Sequence, residues 1–218
     1  MPQTLSENQQ TSSPAAGEVA ATWHEDTIAE EQQYRASAYG LLAAVLRSIP
    51  DQSLLNQVAA LAAVDDAGDE MVVAMSLLGL AAEKLSPESI DEEYHALFIG
   101  LGRGELVPYG SFYLTGFLME KPLGDLRDDL LRLGFERATE VHEPEDHVAA
   151  LCEVMLMLIE ENAAIEKQRN FFMQHIDSWF EQFFTDMSVA KNAVFYRAVA
   201  RFGTAFMGIE KRYLQAEV

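Results

Sequence analysis

The run His142-Glu143-Pro144-Glu145-Asp146-His147 gathers three carboxylates and two imidazoles within six residues. Carboxylates beside an imidazole can move protons as an acid–base set. No GxSxG-type nucleophile pattern accompanies them, so that chemistry has no partner in the sequence. As metal ligands they are poorly disposed: there is no HExxH, and Pro144 breaks the helical frame that His142 and His147 would share. As a polar clamp, two carboxylates and an imidazole at one helix mouth suit a cationic ligand. A structural role is open as well, since acids in the first turn of a helix stabilise its dipole and Pro144 is well placed there.

A second candidate region lies upstream. Tyr94, Leu97 and Phe98 share a helical face by their i, i+3, i+4 spacing. A glycine turn follows (Gly100, Gly102, Gly104), then Pro108-Tyr109-Gly110-Ser111-Phe112-Tyr113. The aromatics read either as ordinary core or as the wall of a half-wet groove, because tyrosine hydroxyls need partners when buried. The glycines read as a hinge or as points of close backbone approach. They match neither a dinucleotide fingerprint nor a phosphate loop, lacking the third glycine at its place and any Gly-Lys-Ser/Thr.

The elements that must position these residues are helical. Apolar spacing over Tyr34, Ala38, Leu41, Leu42, Val45 and Ile49 predicts a helix from about Thr27 to Pro50. Further helices are expected from the Asp51 cap to Leu61, over Asp69–Leu85 and over Pro87–Ile99. The next are expected over Ser111–Met119, over Leu123–Leu133 and from Glu143 to Glu166, then over Asn170–Met187 and Val189–Leu214. Gly134 is placed to close the Leu123–Leu133 helix. Period-two alternation never persists, so no strand series is expected. The fold class is therefore all-α, a single compact bundle-like domain of eight to nine helices over residues 27–218, behind a disordered polar tail over 1–26.

Of 218 residues, 49% are hydrophobic and 23% charged, enough for a sizeable core, and the net charge is −20. Such a balance disfavours nucleic acid and anionic membrane surfaces and suits basic partners. No stretch is long and apolar enough for a membrane span. One cysteine, Cys152, inside an apolar run, fits a reducing compartment and a small buried side chain. No Lys or Arg precedes Arg35, so a basic export leader is not expected, and the cytoplasm is.

Taken together, Tyr94-x-x-Leu97-Phe98, the glycine turn, Pro108-Tyr109-Gly110-Ser111-x-Tyr113, and Glu143-Pro144-Glu145-Asp146-His147 resemble the TorD/DmsD family of redox-enzyme maturation chaperones. The later stretch His175-x3-Trp179-x3-Phe183 is similar to the family's closing helices. The resemblance implies a non-enzymatic, all-helical cytoplasmic chaperone. Such a chaperone binds the twin-arginine signal peptide and the apo catalytic subunit of a molybdenum-cofactor oxidoreductase until its cofactor is inserted.

It also implies Tyr94, Leu97, Phe98, Tyr109, Ser111, Tyr113, Glu145, Asp146 and His147 as peptide-binding residues, with Gly100, Gly102, Gly104 and Pro108 as hinge or turn. Tyr94 and Tyr109 stand where tryptophan is frequent in relatives. No cofactor or metal is expected; weak guanine-nucleotide or molybdenum-cofactor binding is implied by resemblance only. The wording of residues 102–118 is similar to relatives associated with formate dehydrogenases, and the family implies a monomer or a domain-swapped dimer. The alternatives are a small metal-dependent hydrolase using Glu145, Asp146 and His147, and an acidic adaptor. An apolar groove would supply most of the affinity for a leader, and carboxylates its orientation and encounter rate.

Overall fold

The computed structural model describes residues 16–63, 68–100, 104–137 and 143–216, with side chains from Glu30 onward except at Ala63. The chain divides into two compact units, Met1–Tyr34 and Arg35–Val218. The expected tail falls largely outside the described residues. The backbone is helical from Ala16, earlier than the expected start near Thr27. Alanine-rich sequence favours a helix by propensity without any apolar stripe to announce it.

Ten α-helices are present among the described residues, and no strand. They are α1 (Ala16–Arg47), α2 (Gln52–Ala59), α3 (Glu70–Lys84), α4 (Pro87–Tyr94) and α5 (Gly110–Thr115), followed by α6 (Lys121–Leu133), α7 (Val148–Glu160), α8 (Ile165–His175), α9 (Phe180–Val189) and α10 (Phe195–Ala216). Side-chain caps set several starts. Asp51, Asp69 and Ser86 accept from the backbone N–H groups of Leu54, Met71 and Ser89, and Pro87 opens α4. Gly134, at φ 85°, closes α6 in the left-handed conformation its sequence position predicts.

Two expected helices are each divided. The helix expected to reach Glu166 ends at Glu160, where Asn162 turns left-handed at φ 52° and the Ala163 N–H returns to the Leu158 carbonyl at 2.9 Å. The helix expected over Asn170–Met187 breaks between His175 and Phe180. There the Asp177 N–H closes on the Phe172 carbonyl at 2.9 Å, and the Trp179 indole N–H takes the His175 carbonyl at 2.8 Å. No glycine or proline marks either break, so periodicity alone runs through them.

Within the unit Arg35–Val218, α10 packs on α9, α3, α8 and α4, while α7 packs on α8 and α5 on α6. The apolar run of α7 is central, with Val148, Leu151, Cys152, Met155 and Leu158 all buried. Cys152 is a free thiol that burial pushes far up the pH scale, so it behaves as a small hydrophobe.

Carboxylates inside this unit hold its ends together. Glu93 of α4 accepts from the backbone N–H groups of Val194, Phe195 and Tyr196 at 2.7–2.9 Å, anchoring the start of α10. Near the far end of α10, buried Glu210 takes a forked pair of hydrogen bonds from Arg35 at 2.6 and 2.7 Å and one from the Tyr39 hydroxyl at 3.1 Å. The Arg35 guanidinium also lies 4.5 Å from the Tyr213 ring centre.

Removing one partner from such a pair strands a buried charge. Glu210→Ala should lower unfolding free energy by about 3–5 kcal/mol in urea titrations followed by circular dichroism.

Candidate functional site

The two candidate regions are built toward each other by backbone. After α4, residues His95–Ile99 form one π-helical turn, with the Gly100 N–H bonded to the His95 carbonyl at 2.7 Å. Gly100 then reverses the chain at φ 59°, a conformation that disfavours any side chain. At Gly104 the chain lies back against that turn so closely that an added Cβ would sit 2.5 Å from the Leu97 carbonyl oxygen. The Leu106 N–H seals the return by bonding Leu97 at 2.8 Å. Gly104 is thus a packed contact; Gly102 lies outside the described residues, as does His142.

From buried Pro108 onward the segment pairs with the Glu143–His147 run. Tyr109 and His147 form an antiparallel bridge, the Gly110 N–H bonds the Asp146 carbonyl, and the Val148 N–H bonds the Pro108 carbonyl, both at 2.9 Å. The Asp146 side chain completes the joint by accepting the Ser111 N–H at 2.7 Å. Asp146 and Ser111 are both buried. Only one Asp146 oxygen is used: Oδ1 is buried and has no hydrogen-bond partner, a costly arrangement for a carboxylate.

The other acids of this run have separate duties. Glu143 accepts from the Tyr109 hydroxyl at 2.8 Å. Burial, then that bond and charge, raise the Tyr109 pKa and keep it a donor. Glu145 is gripped by Arg127 at 2.8 Å and approached by Arg137 at 3.7 Å. Burial pushes its carboxyl up, but the Arg127 hydrogen bond and neighbouring positive charge bring it below the usual range. His147 caps α7, its Nδ1 accepting the Ala149 N–H at 3.2 Å. That bond requires an unprotonated Nδ1. Among the described residues, no three His, Cys, Asp or Glu side chains are placed to hold a metal ion.

The aromatics of the first region divide by position. Leu97 is fully buried and Tyr94 nearly so, its hydroxyl donating to the Arg47 carbonyl at 3.2 Å. Half-buried Phe98 packs on Tyr94 and Tyr196, with ring centres 5.0 and 5.1 Å away. These three residues belong to the core side of the turn and do not line the cavity described next. Tyr113 stacks on Trp179 at 5.3 Å and donates to Asp186 at 3.1 Å, with burial and that carboxylate raising its pKa.

Beside the joint lies an open cavity of about 450 Å³, lined by Gly110, Ser111 and Leu114 from α5, by one side of α6, and by Asp146, Leu151, Gln174, His175 and Trp179. Among its lining residues four carboxylates (Asp125, Asp128, Asp129, Asp146) face one guanidinium, that of Arg132. Asp129 is engaged by Arg132 and by His175 Nε2 at 2.8 Å. Leu114 of the lining is exposed, and so are Phe117, Leu118 and Met119 just past α5, with Phe117 at 69% and Met119 at 73%.

This ridge is held rather than loose. Gly116 ends α5, the Phe117 N–H bonds Thr115 Oγ1, and the Met119 N–H bonds Ser111 Oγ, both at 3.2 Å. The α6 acids and the ridge belong to no motif noted in the sequence, whereas Trp179 falls in the His175-x3-Trp179-x3-Phe183 stretch. The available signals were the i, i+3, i+4 spacing of Asp125, Asp128 and Asp129, and the apolar Phe117-Leu118-Met119 run; the helix expected over Ser111–Met119 stops at Thr115, where left-handed Gly116 leaves that run outside it.

The model of the nitrate reductase delta subunit family matches residues 59–185, which hold every residue of this site. The chain is 31% identical over 120 residues to the probable Tat proofreading chaperone DmsD of Haemophilus influenzae, covering 54% of this chain and 58% of that protein. It is 26% identical over 140 residues to the chaperone protein TorD of Aliivibrio salmonicida, covering 59% and 65% respectively. The match therefore spans under two thirds of these relatives' own length. A structure assigned to a redox enzyme maturation protein of Archaeoglobus fulgidus superposes with TM-score 0.55 at 20% identity, covering 81% of this chain and 93% of that one. At that identity the likeness is one of fold.

Burial, opposed by Glu143 and reinforced by Arg47, holds the His147 imidazole down to about 4 from 6.5. The unfolded chain takes up this proton across that window and the folded chain refuses it, so the contribution is complete above the unfolded value and declines as pH falls toward the folded one. The loss should be on the order of 2–3 kcal/mol. Urea unfolding at stepped pH measures it, and His147→Asn, which keeps a capping acceptor, should flatten that part of the profile.

Proposed function

Because the chain belongs to the nitrate reductase delta subunit family, that of the TorD/DmsD redox-enzyme maturation chaperones, we propose that it is a molybdoenzyme maturation chaperone that captures the twin-arginine signal peptide of its client. The quoted relatives are chaperones, not enzymes. The hydrolase alternative finds no support in the geometry, where Glu145, Asp146 and His147 each serve a different structural partner.

One observation carries the reading: an exposed apolar run, tied back to Ser111 by the Met119 N–H, follows the Leu114 edge of an acid-lined cavity at the joint of the two motifs. A leader of this type has a basic end and an apolar stretch, and the site offers a matching surface for each. Exposed apolar side chains clustered in this way mark interaction surfaces. Among the described residues no helix is long and apolar enough to cross a membrane. The chaperone would act in the cytoplasm, on the unexported precursor. For the client we propose a formate dehydrogenase, on the wording of residues 102–118; copurification of that enzyme's precursor with the chain tests this part separately.

Calorimetric titration with a synthetic leader peptide tests the site. Phe117→Ser with Met119→Ser should weaken binding about tenfold or more, with an unchanged circular dichroism spectrum because both side chains are solvent-facing. Undiminished affinity would move the apolar half of the leader elsewhere.

A further inference from the structure

We infer that the cavity between α5 and α6 is an arginine-selective subsite, in which Asp125, Asp128 and the free oxygen of Asp146 receive a guanidinium. The apolar residues that follow it in a bound chain then lie on Leu114 and Phe117–Met119. The inference rests on the leader-binding reading and assigns its cationic half to residues on α6.

The acids nearest in kind are already committed. Glu145 is held by Arg127 and Arg137, and Asp129 by His175 and Arg132. Asp128, in contrast, has no hydrogen-bond or ion-pair partner among the described residues. Asp125 is engaged only by exposed Lys121, one turn away on the same helix, a weak pair that an incoming cation can replace.

Asp146 supplies the independent observation. It is 3% exposed, lines the cavity and spends Oδ2 on the Ser111 N–H, leaving Oδ1 buried without a donor. A buried carboxylate oxygen in that condition is satisfied by any donor the cavity admits.

The acceptors come from two separate elements, α6 and the Glu143–His147 run. A guanidinium presents five N–H groups in a rigid planar fork and can reach acceptors on both sides, whereas an ammonium is a compact point charge. Trp179 lines the same space with its indole N–H already used on His175, so it adds aromatic wall, to which arginine adheres better than lysine. Leu114 belongs both to the cavity lining and to the exposed ridge. A peptide can therefore pass from the cation site to the apolar surface without a gap.

The test is titration of the full chain with a synthetic peptide carrying two adjacent arginines before an apolar stretch, and with its two-lysine counterpart. The wild-type chain should prefer the arginine peptide by about tenfold. Asp125→Asn with Asp128→Asn should weaken the arginine peptide about 3–10-fold, erase most of the preference and flatten the salt dependence. The lysine peptide should be little changed. Both side chains are exposed, so circular dichroism should be unaltered; Asp128→Asn alone, which breaks no bond, is the second variant if it is not.

Retention of arginine preference by the variants overturns this subsite while the chaperone reading stands. Failure of the wild-type chain to bind either peptide overturns both.

Discussion

The Asp146 carboxylate closing on the Ser111 N–H is the contact through which the site exists. It joins the start of α5 to a segment beyond α6, and it does so beside a one-residue bridge rather than a sheet. With so few backbone bonds available, each counts. Tyr109 is fixed by Glu143, α5 begins where Asp146 can cap it, and α7 begins where His147 can. The cavity opens along α5, and the exposed Phe117–Met119 run follows the end of that helix. The unused oxygen of the same carboxylate is what makes the joint part of the cavity as well as its frame.

Much of this was legible in residue types. Asp51, Asp69, Ser86-Pro87 and Gly134 punctuate helices where their capping chemistry says they should, and the lack of period-two alternation matches the absence of strands among the described residues. The resemblance assigns Tyr109, Ser111, Glu145, Asp146 and His147 to one set of peptide-binding residues, and the two segments that carry them pair through backbone. What stayed hidden has one cause: helical spacing reports that residues share a face, not whether that face is wet. Tyr94, Leu97 and Phe98 have the spacing of a groove wall and are packed toward the core. Asp125, Asp128 and Asp129 have the same spacing and line the cavity. The breaks after Glu160 and His175 were missed because they are closed by backbone and indole hydrogen bonds that leave no glycine or proline behind.

The acidic side chains sort into two populations. Glu93, Glu105, Glu143 and Glu210 bond backbone N–H groups, a hydroxyl or a guanidinium of this same chain. These are structural groups, and their charge is already answered. Asp125 and Asp128 lie open at the cavity. A tally of net charge cannot separate carboxylates answered within the chain from those open to solvent.

The exposed Phe117–Met119 strip carries a hazard that the strongly negative chain is suited to contain. Two molecules brought together strip against strip would bury grease, and nothing in the geometry of a ridge forbids it. A charge of −20 on 218 residues opposes that encounter at long range. A cationic tail arriving from solution feels the opposite force. The same field thus discourages self-association and attracts a cationic peptide, with both effects fading together as salt shortens the reach of charge.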